Sequence, residues 1–181
     1  MDSLASLRRR IDILDDRILD LLNARARMVA RVYTCKRKAE GGPLAVAFVP
    51  AREAEIFRRL AGRNRGPFPA AGVRLVFREI ISACRSLEGA FKVVAAGDEG
   101  SAVYRAARDC FGGMARLLPS TGVSAVQKLL AGGSADYGVV PASALKRFAG
   151  GRFESCAILK GASGANRVRF VVLGCPREPL I

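Results

Sequence analysis

The chain has 181 residues, half of them hydrophobic, with 30 Lys and Arg against 16 Asp and Glu for a net charge of +14. It contains no His and no Trp, so Ser-His-Asp and Cys-His catalysis are excluded and the commonest zinc ligand is missing. The length suits one ordinary domain or two small ones.

From Ser3 to Lys38 there is no Gly or Pro. Leu4, Leu7, Ile11, Leu14, Ile18, Leu21, Leu22, Val29 and Val32 recur in steps of three and four, which predicts one long amphipathic helix. Thirty-six residues at ~1.5 Å each span roughly 54 Å, longer than a small domain is wide. Ser3 is the expected N-cap, and Gly41, Gly42 and Pro43 stop the helix. After a loop over 40–49, Pro50 opens a second helix that runs to about Asn64. A third runs from Ala70 to Leu87, with Val73, Val76, Phe77, Ile80, Ile81, Cys84 and Leu87 on its apolar face. Beyond Gly89 the pattern changes to short β-like runs at 91–96, 115–118, 137–140, 155–159 and 170–173. Helical stretches near 101–111 and 122–131 separate the first three. The expected domains are therefore 1–89, all-helical, and 90–181, a small α/β lobe.

The charge is spread along the chain, and no run of aromatics offers stacking platforms for single-stranded nucleic acid. Nucleic acid and membrane are not expected partners. Five cysteines form no CxxC pair and read as buried free thiols in a reducing cytoplasm. No hydrophobic signal core opens the chain, and the expected location is cytoplasmic.

Two cations interrupt the apolar stripe of the first helix. Arg25 and Lys36 stand where the rhythm calls for apolar side chains. Eleven residues at about 100° each return to within about 20°, so both point the same way. Two cations on a buried face form a candidate site for a dianion. Arg8 lies about 100° off that face and about 25 Å away along the axis. It can join such a pocket only in a partner chain whose long helix packs antiparallel. A helix this long and this apolar on one side points to an intertwined homodimer.

The stretches LRRRIDILDDRILDLLNARARMVARV, PAREAEI, NRGPF and FREIISACRSLE, in that order and spacing, resemble the all-helical class of chorismate mutase, especially the mutase domain ahead of prephenate dehydratase in bifunctional enzymes. The resemblance implies a three-helix fold in an intertwined dimer. It implies that Arg25, Arg52 and Arg8 of the partner subunit bind the two carboxylates of chorismate. Lys36 would meet a carboxylate and the ether oxygen of the breaking C–O bond, and Glu53 the ring hydroxyl. Glu88 would donate to that ether oxygen, and Cys84 would line the pocket. Where the family commonly has Asp before the Pro of the second helix, this chain has Val49, which implies weaker substrate orientation. The catalytic set is thus Lys36, Glu88 and Arg25, with no metal or cofactor.

The chemistry fits these residue types. A [3,3] rearrangement needs a flexible dianion held in a near-attack geometry and stabilisation of charge growing on the ether oxygen. Arg is a planar, bidentate carboxylate clamp, and Lys a point charge. Glu88 can assist only as the neutral acid, so activity should fall as it ionises.

Residues 90–181 resemble a truncated prephenate dehydratase, through GDEGS at 97–101, ADYGVVP at 135–141 and RVRFVVLG at 167–174. The family's catalytic Thr is replaced by Val168, which cannot donate a proton. Arg169 lies only 28 positions after Pro141, where the family inserts a second lobe. The expectation is a periplasmic-binding-protein-like half without dehydratase activity, ending in a loose tail at 176–179. The expected function is conversion of chorismate to prephenate on the route to phenylalanine and tyrosine. The alternatives are a bifunctional mutase/dehydratase, a lyase acting on isochorismate, a non-enzymatic basic binding module and a mutase-like effector sensor.

Overall fold

A computed structural model of the protein describes residues 3–40, 48–87, 91–149, 153–163 and 166–174, with the side chains of 36, 37, 39, 40, 162, 163 and 166 outside that description. The chain falls into two compact units, Met1–Leu44 and Ala45–Ile181.

Among the described residues the first unit is a single helix, α1, Leu4–Glu40. Ser3 caps it as its sequence demands: its side-chain oxygen accepts from the Ser6 N–H at 3.1 Å. Much of the apolar stripe is in solvent. Leu4, Ile11, Leu14, Ile18, Leu21 and Val32 are each more than half exposed.

The second unit opens with α2, Pro50–Arg63, and α3, Ala70–Ser86, which pack on each other. No residue of α2 is buried, whereas α3 buries Ile81, Ser82, Cys84 and Arg85. The α/β region follows: β1 Lys92–Ala95, α4 Ala102–Phe111, β2 Arg116–Pro119, α5 Val123–Ala131, β3 Tyr137–Pro141, β4 Glu154–Ser163 and β5 Asn166–Gly174. The five strands form one mixed sheet in the order β2-β1-β3-β5-β4. The β1–β2 and β1–β3 pairs are parallel, and the β3–β5 and β4–β5 pairs antiparallel.

The sheet is covered on both faces, so its central strands read as continuous apolar runs. Val93, Ala95, Val139 and Val172 belong to the α4 side with Ala107 and Phe111. Val94, Val140, Val171 and Leu173 belong to the other side with Val126, Leu130 and Phe148. Gly138 lets α5 lie against β3, since a Cβ there would sit 2.6 Å from Val126 Cγ1.

The predicted elements are all present. Two strands run longer than expected, β4 beyond Leu159 and β5 from before Phe170, because their outer halves pair with each other from Lys160↔Arg169 to Ser163↔Asn166. A 3₁₀ turn at Ala142–Phe148 was not anticipated. The expectation of buried thiols needs correction. Cys84 is buried and Cys110 and Cys156 are half-buried, but Cys35 is exposed, on a helix whose apolar side chains are themselves largely in solvent. Burial pushes the Cys110 thiol up to about 12. Cys175, Gly89, Ala90 and the 176–179 tail lie outside the described residues.

Helix α3 groups with the sheet because it is bonded to the last turn of α4 and to the turn between α4 and β2. Arg78 Nη1 reaches Asp109 Oδ1 at 3.3 Å, and Ser82 Oγ accepts from the Met114 N–H at 3.2 Å. Glu79 accepts from the Gly113 N–H at 2.7 Å and from Arg78 Nε at 2.9 Å. The backbone bond first, and then the Arg78 bond, hold its carboxyl below the ordinary range. A carboxyl lowered by folding contributes stability above its unfolded pKa and loses it as pH falls through the folded one. Glu79→Gln is therefore expected to destabilise the protein at neutral pH. The effect is about 0.5 kcal/mol, because this half-exposed group is screened by solvent. Urea melts of the two proteins should differ at pH 7 and converge below the carboxylate range. An equal gap at both pH values would contradict this account.

Candidate functional site

Three of the candidate residues lie on α1. Arg8 is exposed. Arg25 is half-buried, and its Nη1 atom is buried with no hydrogen-bond partner among the described residues. Leu22, Ala26, Val29 and Tyr33 are also half-buried, and at steps of three and four they share the stripe that Arg25 interrupts. A desolvated guanidinium nitrogen without an acceptor is costly, and an anion would remove that cost. The side chain of Lys36 lies outside the described residues. The helix is continuous through position 36, so its backbone keeps the register that pairs it with Arg25.

The other candidates belong to the second unit. Val49 precedes α2 with φ −113° and ψ 86°, and offers no side-chain cap. Its carbonyl accepts from the Glu53 N–H at 3.2 Å. Pro50 supplies the first turn, so Arg52 and Glu53 enter α2 at its positive end, where a carboxylate is favoured. Arg52 is exposed and pairs with Glu55 at 2.6 Å. That cation, through the hydrogen bond first, lowers the Glu55 carboxyl. A surface pair of this kind is weak enough to be exchanged for a ligand. Cys84 is buried on α3. Glu88 lies outside the described residues.

Glu53 is engaged. Its Oε1 accepts from Arg85 Nη2, an ion pair whose side chains are 17% and 6% exposed. Arg85 was not among the residues singled out from the sequence. Its guanidinium carbon lies 5.3, 5.4 and 5.9 Å from the ring centres of Phe48, Phe91 and Phe111. The rings also contact one another, with Phe48 4.6 Å from Phe111 and Phe91 5.9 Å from Tyr137. Tyr137 fixes the chain before α2 by accepting from the Phe48 N–H at 2.9 Å. Its hydroxyl is pushed up by burial.

Among the described residues, no group of three or more His, Cys, Asp or Glu is placed to hold a metal ion, and no helix is long and apolar enough to cross a membrane.

Residues 7–89 match the chorismate mutase type II family. This part of the chain is similar to chorismate mutase type II domains. The match takes in α1 from Leu7 onward, all of α2 and α3, and every candidate residue named above. The bifunctional chorismate mutase/prephenate dehydratase of Pseudomonas aeruginosa is 37% identical over 141 residues, covering 77% of this chain and 39% of that protein. The enzyme of the same name from Aquifex aeolicus is 39% identical over 145 residues, covering 78% and 39%. A match of that length cannot fit in the first 89 residues, so the similarity runs from the mutase domain well into the α/β region. The chain spans about two fifths of the length of these relatives. An X-ray structure of prephenate dehydratase from Streptococcus mutans aligns with 50% of this chain and 52% of its own, at 25% identity and a TM-score of 0.43.

Proposed function

We propose that the protein is a chorismate mutase that converts chorismate to prephenate in aromatic amino acid biosynthesis in the cytoplasm. The observation that carries this reading is the buried Nη1 of Arg25, without a hydrogen-bond partner among the described residues, inside the segment that matches the mutase family. Arg25 clamps one carboxylate, and Arg52 exchanges Glu55 for the substrate. Lys36 meets the ether oxygen as the C–O bond breaks, and neutral Glu88 donates to the same oxygen. Glu53 accepts the ring hydroxyl, while Val49 and Cys84 line the pocket. The reaction is a concerted shift of electrons within the substrate. The protein's work is to hold two carboxylates in a folded geometry and to stabilise the charge that develops.

The active form is a homodimer in which Arg8 of the partner subunit completes the pocket. The exposed apolar stripe of α1 supports this, because a surface of that size rarely stays uncovered. The functional division is 1–89 for the mutase and 90–181 for the α/β lobe, and the end of the family match at 89 supports it.

The lobe has no dehydratase activity on this reading. Val168, in place of the Thr, packs its methyl groups against the α4-side core and offers no proton. The second reading, a bifunctional enzyme, is favoured by the reach of the relatives' similarity beyond residue 89. Purified protein given prephenate at neutral pH separates the two, since only a dehydratase makes phenylpyruvate.

The test of the main reading is chorismate consumption by the purified chain beside Lys36→Ala. Loss of the ammonium should cut kcat by about 10²-fold or more, the usual effect of removing a group that stabilises transition-state charge. Wild-type protein that leaves chorismate untouched would end the proposal.

A further inference from the structure

We infer that Arg85 is a positioning residue of the mutase site and that the α/β lobe holds it in place. This rests on the mutase reading and assigns the lobe a part in it. The geometry has three layers. Glu53 stands in the first turn of α2 with one carboxylate oxygen on Arg85, which leaves the other free to accept a hydroxyl. Arg85, in the last turn of α3, is 6% exposed. Its flat guanidinium is caged by Phe48, ahead of α2, and by two lobe residues, Phe91 before β1 and Phe111 at the end of α4.

A buried cation needs both a counter-charge and a place for its planar face. Glu53 supplies the first and the rings the second. Neither partner is free to turn. An Arg held by three aromatic faces fixes the direction of its N–H fork, and the fork fixes the carboxylate. The site is therefore supported by residues outside the matched mutase segment, Phe91 and Phe111. Their aromatic cluster is closed by Tyr137, whose hydroxyl also anchors Phe48. On this account the lobe need not bind any substrate to matter for the reaction. It buttresses one residue of the mutase pocket.

The experiment is a double-mutant cycle on the full chain, with steady-state chorismate kinetics and a thermal melt for each protein. Glu53 contacts the substrate hydroxyl before and during reaction, so its loss should appear mainly in KM. Arg85→Met is expected to raise KM about tenfold with kcat changed by less than about threefold. In a Glu53→Ala background the same substitution should change KM by less than about twofold, because Arg85 reaches the substrate through Glu53. Arg85→Lys keeps the charge and loses the fork, and should fall between. Phe91→Leu keeps the core filled, opens the cage and should shift KM in the same direction, which tests the lobe even where Arg85→Met fails to fold. A purely structural Arg85 would lower the melting temperature in both backgrounds and leave KM unchanged, overturning the inference. Equal KM effects in the two backgrounds would also overturn it. If wild-type protein does not turn over chorismate, the mutase reading itself fails, an outcome distinct from an active enzyme indifferent to Arg85.

Discussion

Arg25→Ala should lower kcat/KM for chorismate by roughly 150- to 5,000-fold while leaving the melt unchanged. Removing one partner of a desolvated charge pair costs about 3–5 kcal/mol, and each 1.36 kcal/mol is about tenfold in rate. The fold should tolerate the change because the buried Nη1 makes no hydrogen bond to the described residues. Truncation removes a desolvation cost rather than a structural contact. Arg25→Lys keeps the charge but loses the bidentate fork, and should recover only part of the rate. Steady-state kinetics of the three proteins decide the matter. Arg25→Ala within about threefold of wild type would mean that this guanidinium does not hold the substrate.

Gly112→Ala should lower the melting temperature by about 10 °C. Gly112 ends α4 with φ 79° and ψ −179°, a conformation essentially reserved for Gly and worth about 1–3 kcal/mol of strain in other residues. A Cβ there would also meet Ser82 Cβ at 2.5 Å and its Oγ at 2.7 Å. Forcing a methyl group into that contact adds about 1–3 kcal/mol. The sum is a large share of the stability of any domain. For a chain of this size each kcal/mol moves the midpoint by about 2–4 °C. Adding Ser82→Gly should relieve the clash and leave the strain, recovering part of the loss. A melt within about 2 °C of wild type would mean that α3 does not sit this tightly on the turn after α4.

The helices were legible because their punctuation is local. Pro50 opens α2, Gly66-Pro67 follows it, and the absence of breakers from Ser3 to Lys38 lets α1 run on. The inner strands were legible because burial on both faces leaves Val93-Val94 and Val139-Val140 as plain apolar runs. The outer halves of β4 and β5 were not. Lys160, Arg167 and Arg169 are exposed and lie beyond the covered part of the sheet, so only the pairing of one strand with the other defines them. The turn at Ala142–Phe148 has no periodicity long enough to read, and the burial of Phe148 holds it.

At the candidate site, Arg25 stood out because it breaks an apolar rhythm. Arg85 breaks the row Phe77, Ile81 at the next step of four and could have been found by the same rule. Its partners could not, because Glu53 lies 32 residues away in sequence and the caging rings come from three separate segments. Pairings of that range are decided by tertiary packing, which no local window contains.

The uncovered stripe on α1 bears on what stability means for this protein. A lone helix with its Leu and Ile side chains in water has little tertiary packing of its own to favour the helical state. Where a second molecule supplies that packing, folding of the first unit becomes a mass-action equilibrium. Its midpoint then climbs with protein concentration, and dilution alone dismantles the helix. The amount of protein in the tube, as much as the sequence, then sets how much of the folded helix exists.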